Sequence, residues 1–488
     1  MLPGVDVAVI GAGAAGLYSA LVAAEAGSSV RLVSSSPLSE SASYHAQGGL
    51  AAALGLDDST ELHLRDTLEA GRGAARESAA RILCEEAPER VRELERRGVQ
   101  FDTDSGGELL LGLEGGHSRR RVVHAGGSST GQRVASVLSA AALAHPGIEV
   151  HERSSAAALW VQDGVCVGAL SADKALPASA TVLATGGCAA LWRRTTNPRG
   201  ALGSGLLLAR DAGAVLADLE LLQFHPTALV TEGPRDGFLI TEAVRGEGAL
   251  LLNARGERFV DELAPRDEVA RAVHSELERS GRQAVMLDMR AVNSDAFPNI
   301  ATALRDAGLD PRDDLVPVAP AAHYAIGGIV TDGEGRSTLA RLYAVGECAC
   351  TGIHGANRLA SNSLSECFVL GRRAALAAGS EQQPPPIRGE PAAPVPVAPP
   401  SEASRAALSA HAGIVRSRDT LTPLLDDPHP LARPIARSAL EREESRGCQL
   451  RSDYPATDPG LDGCHMVLEP GSEQPIAQRW ADGVLIQP

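Results

Sequence analysis

The sequence predicts an α/β protein built on a doubly wound parallel sheet, and three stretches carry that expectation. Val5–Ser34, VDVAVIGAGAAGLYSALVAAEAGSSVRLVS, reads as strand, glycine turn, small-residue helix and second strand. Thr181–Gly187, TVLATGG, is another apolar strand running into glycines. Leu342–Leu364 opens with a strand over Leu342–Val345, which ends at Gly346 and Glu347 and is followed by a glycine-rich loop and a helix start at Ser361, Asn362 and Ser363. Strands alternating with helical patterns read as βαβ units.

The first stretch is the most informative. Gly11 permits the tight turn, Gly13 lets backbone approach a pyrophosphate, and Gly16 lets helix and strand pack closely, so Gly11, Ala12, Gly13, Ala14, Ala15 and Gly16 form a phosphate cradle at a helix N-terminus. The acidic residue that selects NAD at the end of the second strand is missing, because that strand ends in Ser34, Ser35 and Ser36. A Ser34 hydroxyl can still reach a ribose. With the motif this near the first residue, the reading leans to FAD.

At 488 residues the chain exceeds one ordinary core, so two or three domains are expected. A net charge of −16 argues against nucleic acid and anionic membrane surfaces as partners. An anionic substrate then requires local arginines. No run approaches about 18 apolar residues and no signal peptide precedes the first strand, which points to a cytoplasmic protein. Eight cysteines without a CxxC pair signal neither a zinc nor an iron–sulfur site, and no metal is expected.

Along the chain, Ser41–Ala53 reads as a small-residue loop able to lie along a cofactor, and Ser59–Gly98 as charged covering helices. Leu111–Gly127 places Glu114 and His117 beside Arg119, Arg120 and Arg121, which reads most simply as a solvated charge run. Alternation over Glu149–Val167 suggests a β excursion. Gln223, Phe224, His225 and Pro226 read as a loop. In Ile240–Arg245, Glu242 and Arg245 share a helical face at i, i+3, and Asp267 reads as the cap of a helix over Glu268–Arg279. Eight prolines between Pro384 and Pro400 mark a stiff linker. Beyond it come short helices over Glu402–Leu425 and Leu431–Glu443, then a loose tail.

Taken together, HAQGGLAA, EGGHSRRRVVHA, ATGG, TTNP, QFHPTAL, TEAVRGEG, APRDEVARA, AAHY and TGIHGANRLASNSLSE, in this order, resemble the flavoprotein family of fumarate reductases, succinate dehydrogenases and L-aspartate oxidases, its oxidase branch most. ESRG at Glu444–Gly447 and DYP at Asp453–Pro455 resemble that family's C-terminal helical domain. The resemblance implies FAD-dependent oxidation of L-aspartate to iminoaspartate, with oxygen or fumarate as electron acceptor. That is the first step of de novo NAD synthesis, with a transient hand-off to quinolinate synthase. The alternative it leaves is a fumarate reductase or succinate dehydrogenase flavoprotein subunit.

Residue by residue, the resemblance places His225, Thr241, Glu242, His323, Arg358 and Ser361 around a C4 dicarboxylate (L-aspartate or fumarate). It makes Arg266 the proton donor and acceptor, served by Glu242 and Arg245. Arg358 is suited to a bidentate grip on a carboxylate. Around the cofactor it adds Ala42, Ser43, Gln47, Gly48, Gly49, Gly186, Glu347, Ser363 and Leu364. Ala42 stands where covalent-flavin members carry histidine, so the FAD is expected to be noncovalent, and Ser204 replaces an aspartate usual near the flavin. Glu114, in the oxidase-like loop, is the candidate to read the substrate ammonium. The implied architecture is an FAD-binding domain of residues 1–218 and 326–379, a capping domain at 219–325, a linker at 380–400, a helical domain at 401–455 and a tail at 456–488.

Overall fold

The computed structural model describes residues 4–172, 174–382, 387 and 398–480. Most of the Pro-rich linker and the last eight residues lie outside them. The first strand, Val5–Ile10, pairs in parallel with Val30–Val33 on one side and with Ala175–Leu183 on the other. Ile148–His151 and Leu342–Ala344 extend the parallel array at its two ends, and an antiparallel hairpin, Ala156–Gln162 and Val165–Ser171, leans on the near end of Ala175–Leu183. The expected parallel sheet is therefore present, with the β excursion as its antiparallel flank.

Glycine is forced at two points of the first turn. A Cβ at Gly11, whose φ is +109°, would sit 2.2 Å from the Ala184 carbonyl oxygen, and one at Gly16 would sit 1.9 Å from the Gly11 oxygen. The helix that contains Gly16, Ala14–Glu25, is buried over all but its last residue. Its small side chains let Asn362–Gly379 approach closely enough for Ser19 Oγ to donate to the Gly371 carbonyl at 3.0 Å. That contact ties the N-terminal glycine unit to the helix that begins at the far end of the Ser361 loop.

An antiparallel sheet of Leu222–Leu229, Val316–Ala325, Val285–Asp288 and Leu250–Leu252 forms a second body with its own apolar core, including Ile240, Val244, Val269, Val273, Leu287 and Ile300. The Gln223–Pro226 run lies in the first of these strands rather than in a loop. Pro226 is tolerated there because the register slips between His225 and Ala228, a bulge at which no ladder hydrogen bond is demanded of it. Asp267 does not cap its helix either. The helix runs Arg266–Ser280 with Pro265 at the N-cap, and Asp267 lies in the first turn.

The loose tail is also overturned over its described part. Cys464–Leu468 pairs antiparallel with Leu216–Ala217, and Ile476–Arg479 adds beside it. The two strands extend a five-stranded sheet that also holds Gly328–Val330 and Ala349–Cys350. Buried charge binds this end together: Arg442 donates to Glu220 Oε1 at 2.7 Å, Glu444 Oε1 at 3.1 Å and Asp218 Oδ1 at 3.2 Å, all four side chains being essentially inaccessible.

Candidate active site

A cavity of about 580 Å³ opens at the glycine turn. Of the residues expected to hold a cofactor, Gly11, Ala12, Gly13, Ala14, Ala15, Ser34, Ala42, Ser43, Gly186, Glu347, Ser363 and Leu364 line it. Gly16 does not; it serves the packing of helix on turn. Gln47, Gly48 and Gly49 lie behind the wall, where a Cβ on Gly48 would be 3.4 Å from Ser361 Oγ and one on Gly49 would be 2.3 Å from the Val123 oxygen. Ser154, Ser155, Thr185, Asn197 and Arg199 also line the cavity and were not singled out from the sequence.

The cavity fits a dinucleotide. Its volume is in the range of ligand pockets, the helix N-terminus at Ala14 faces it, and Ser43 Oγ accepts from the Ala14 N–H at 3.0 Å, so the first turn is already oriented. Glu347 packs against Gly187 and accepts from the Ala325 N–H at 2.9 Å. Burial pushes its carboxyl up to about 7, leaving it able to donate as well as accept a hydrogen bond. Ser204 lines the same cavity as the first residue of the helix Ser204–Asp211.

Of the expected substrate residues, only His323 reaches this cavity; the others lie behind it as a buried cluster. The helix turn Glu242–Gly246 puts Glu242 and Arg245 on one face, as the i, i+3 spacing predicts, and they pair at 3.0 Å. The other oxygen of Glu242 accepts from Arg266 Nε at 2.6 Å. One carboxylate thus stands between two guanidiniums. Arg266 Nη1 also donates to Gln223 Oε1 at 3.3 Å, and Gln223 Nε2 donates to the Asn357 side chain and the Arg358 carbonyl. Gln223 therefore joins the two arginines, a role the QFHP run did not disclose.

Arg358 is held on three sides. Nη1 donates to Ser363 Oγ at 3.0 Å, Nη2 lies 3.3 Å from His323 Nε2, and the guanidinium stacks 4.5 Å above the Tyr324 ring. Burial, then the charge of Arg266, lowers Arg358 to about 10, so it stays a cation at neutral pH. Burial and the same arginines hold His225 and His323 well below 6.5, hence neutral. His323 is oriented by Thr196 Oγ1 at 2.7 Å from its Nδ1, and its ring meets that of His225 edge-on at 5.1 Å. Thr241 is the N-cap residue of the Glu242 helix turn and is buried.

Ser361 holds a left-handed backbone with φ of 60°, a strained conformation for a residue with a side chain. Its hydroxyl donates to Glu114 Oε2 at 2.6 Å, and His124 Nε2 is 3.4 Å from Oε1. Burial alone would raise Glu114; His124, then Arg266 and Ser361, outweigh it and bring the carboxyl to about 2. Glu114 is therefore an ionised group inside the cluster and not the partner of the arginine run. The solvated reading of that run holds for Arg119 and Arg120 and fails for Arg121, which is fully buried between Asp58 at 2.8 Å and Asp66 at 2.6 Å.

Among the described residues one buried His/Cys/Asp group has metal-ligand spacing, Asp218 with Cys350 and His465. Its carboxylate is already engaged by Arg442, by His465 at 2.5 Å and by the Met466 N–H at 2.9 Å.

Residues 6–364 match the family described as FAD binding domain, and residues 420–468 match that described as Fumarate reductase flavoprotein C-term. The chain is 44% identical over 483 residues to the L-aspartate oxidase of Agrobacterium fabrum, covering 92% of this chain and 91% of that one. It is 45% identical over 482 residues to the L-aspartate oxidase of Caulobacter vibrioides, covering 92% and 94%. Among solved structures, an E. coli quinol fumarate reductase superposes with a TM-score of 0.87 at 27% identity, over 100% of this chain and 98% of that chain.

Proposed function

Because the chain belongs to the L-aspartate oxidase family of FAD-binding flavoproteins, we propose that it oxidises L-aspartate to iminoaspartate, the entry step of NAD synthesis through quinolinate. The observation that supports this substrate best is Glu114, a buried ionised carboxylate tied to Ser361, near His124 and in the field of Arg266 and Arg245. Guanidiniums suit the two carboxylates of any C4 diacid. Ser361 occupies Glu114 Oε2, but Oε1 takes no hydrogen bond among the described residues, and an ammonium is the substrate group that would donate to it.

FAD, which Gly11–Ala15, Ser34, Ser43 and Glu347 would hold along the cavity, would supply the two-electron acceptor chemistry for loss of the α-hydrogen, with oxygen or fumarate as the terminal acceptor. Arg358, fixed by Ser363, His323 and Tyr324, grips one carboxylate. The neutral imidazole of His225, whose Nδ1 accepts from the Thr227 N–H at 3.3 Å and so leaves Nε2–H to donate, supplies with Thr241 hydrogen bonds to the other without adding charge, while His323, engaged by Arg358 at Nε2 and Thr196 at Nδ1, holds Arg358 in place. Glu114, held by Ser361, takes the ammonium. Imine formation releases a proton from the substrate ammonium along with the hydride; Arg266 takes that proton as it yields its own to Glu242, which touches both Arg266 and Arg245, so that a neutral guanidine exists only transiently. Burial of the cluster excludes water and strengthens each of these contacts. We place the reaction in the cytoplasm, with the product passed to quinolinate synthase.

The test is hydrogen peroxide release by the purified yellow protein offered L-aspartate and then succinate. Peroxide with aspartate is expected. Release with succinate alone would move the assignment to the dehydrogenase branch.

A further inference from the structure

Arg72 lies in the turn between the helices Thr60–Ala70 and Glu77–Arg96, flanked by Gly71 and Gly73, and holds a left-handed backbone with φ of 56°. Its guanidinium crosses to the antiparallel body. Nε donates to Asp267 Oδ2 and Nη2 to Asp267 Oδ1, each at 3.0 Å, and Nη2 also reaches Glu268 Oε1 at 2.6 Å. This is a two-pronged grip on a carboxylate whose side chain is 1% exposed. Asp267 and Glu268 directly follow Arg266 in the first turn of its helix.

The turn that carries Arg72 is itself anchored. The Arg72 carbonyl accepts from Arg446 Nη1 at 2.5 Å, while the other donors of Arg446 go to Glu444 Oε1 at 2.8 Å, the Asp458 carbonyl at 2.9 Å and Asp462 Oδ1 at 2.8 Å. Gly73 holds a left-handed backbone with φ of +75°, and a Cβ there would approach Arg446 Nη1 to 2.9 Å, so a side chain at this position would be strained and would press on that arginine. Arg446 belongs to the ESRG run, which the proposed chemistry leaves without a task.

The helix that Arg266 opens needs such a tie. Its N-cap is Pro265, which offers no side-chain acceptor to the unpaired N–H groups of the first turn. The position of Arg266 against Glu242 therefore depends on what else grips that turn. Arg271, the other cation near Asp267, is 3.7 Å away and 43% exposed.

We propose that Arg72 is a positioning residue for Arg266: anchored by Arg446, it clamps Asp267 and sets the first helical turn so that the Arg266 guanidinium meets Glu242. The proposal rests on the assignment of proton transfer to Arg266. Its consequence is specific, because a proton donor displaced by about 1 Å costs roughly 100-fold in rate while substrate binding through Arg358 and the histidines is kept.

The test uses the FAD-loaded enzyme with Arg72→Ala, Asp267→Asn, the double variant, Arg72→Lys and Arg266→Lys. Aspartate oxidation and fumarate reduction are both followed, and fumarate affinity is read from the flavin spectrum. Arg72→Ala and Asp267→Asn are expected to lower kcat about 10- to 100-fold in both reactions, with KM and fumarate affinity within about 3-fold of wild type. The double variant is expected to lose no more than the worse single one, and Arg72→Lys to recover part of the rate. Wild-type kcat in Arg72→Ala, or losses that multiply in the double variant, would overturn the clamp. If Arg72→Ala fails to take up FAD, Arg72→Lys and Asp267→Asn decide by the same criterion. Retained turnover in Arg266→Lys would instead overturn the role of Arg266, so the two failures are distinct.

Discussion

Glu114→Gln separates aspartate from fumarate. Glutamine keeps the length and the acceptor oxygen that Ser361 Oγ meets at 2.6 Å, so the loop retains that tie, and only the charge goes. Because the carboxyl is held at about 2, Glu114 is an anion at every pH an assay would use. A charge-assisted hydrogen bond to an ammonium contributes roughly 1.5 to 3 kcal/mol, so aspartate kcat/KM should fall about 10- to 150-fold. Fumarate carries no ammonium, and its reduction should change less than about 3-fold. The same substitution has a stability signature. A carboxyl whose folded pKa is depressed from 4.5 to about 2 contributes stability above the upper value that is lost as pH falls through the lower one. The amount is roughly 3 kcal/mol, and acid unfolding of Glu114→Gln should lack this component between about pH 4.5 and pH 2. Steady-state assays with both substrates and an acid titration followed by circular dichroism measure the two effects. Equal losses with aspartate and fumarate would refute the reasoning and make Glu114 a brace for the Ser361 loop.

Three further outcomes are expected. Arg266→Lys should lower turnover by roughly 10²- to 10⁴-fold, since an ammonium cannot span Glu242 and Gln223 together, while Arg271→Lys, half exposed on the same helix, should stay near wild type in the same assay. Acid precipitation should leave the yellow colour in the supernatant, because Ala42 offers no ring nitrogen for a covalent bond; flavin found in the pellet would contradict this. Arg442→Met should cost at least about 3 to 5 kcal/mol in urea unfolding, because Asp218, Glu220 and Glu444 would remain buried without their shared cation. An unchanged midpoint would show that these carboxylates take up protons at no cost.

The strand–glycine–helix unit at Val5–Ser34 was legible because its determinants are local. Apolar runs, glycines at fixed offsets and small helical residues all lie within thirty positions, and the backbone there has few alternatives. The i, i+3 pairing of Glu242 with Arg245 was legible for the same reason. The long ordered motifs also indicated which residue types belong to one site. Tertiary structure alone decided whatever depends on distant partners. The Gln223–Pro226 run is a strand because Val316–Ala325 accepts a bulged register beside it. Arg121 is buried because Asp58 and Asp66 come to it from more than fifty residues away. Asp267 meets Arg72 rather than capping its own helix, and Cys464–Leu468 is a strand because Leu216–Ala217 presents it an edge, Ile476–Arg479 then pairing on its other side. A charged or β-forming residue carries no local sign of whether its partner will arrive. Desolvation is penalised only after the fold has brought the two together, so burial of charge and pairing of edge strands are settled at the tertiary level.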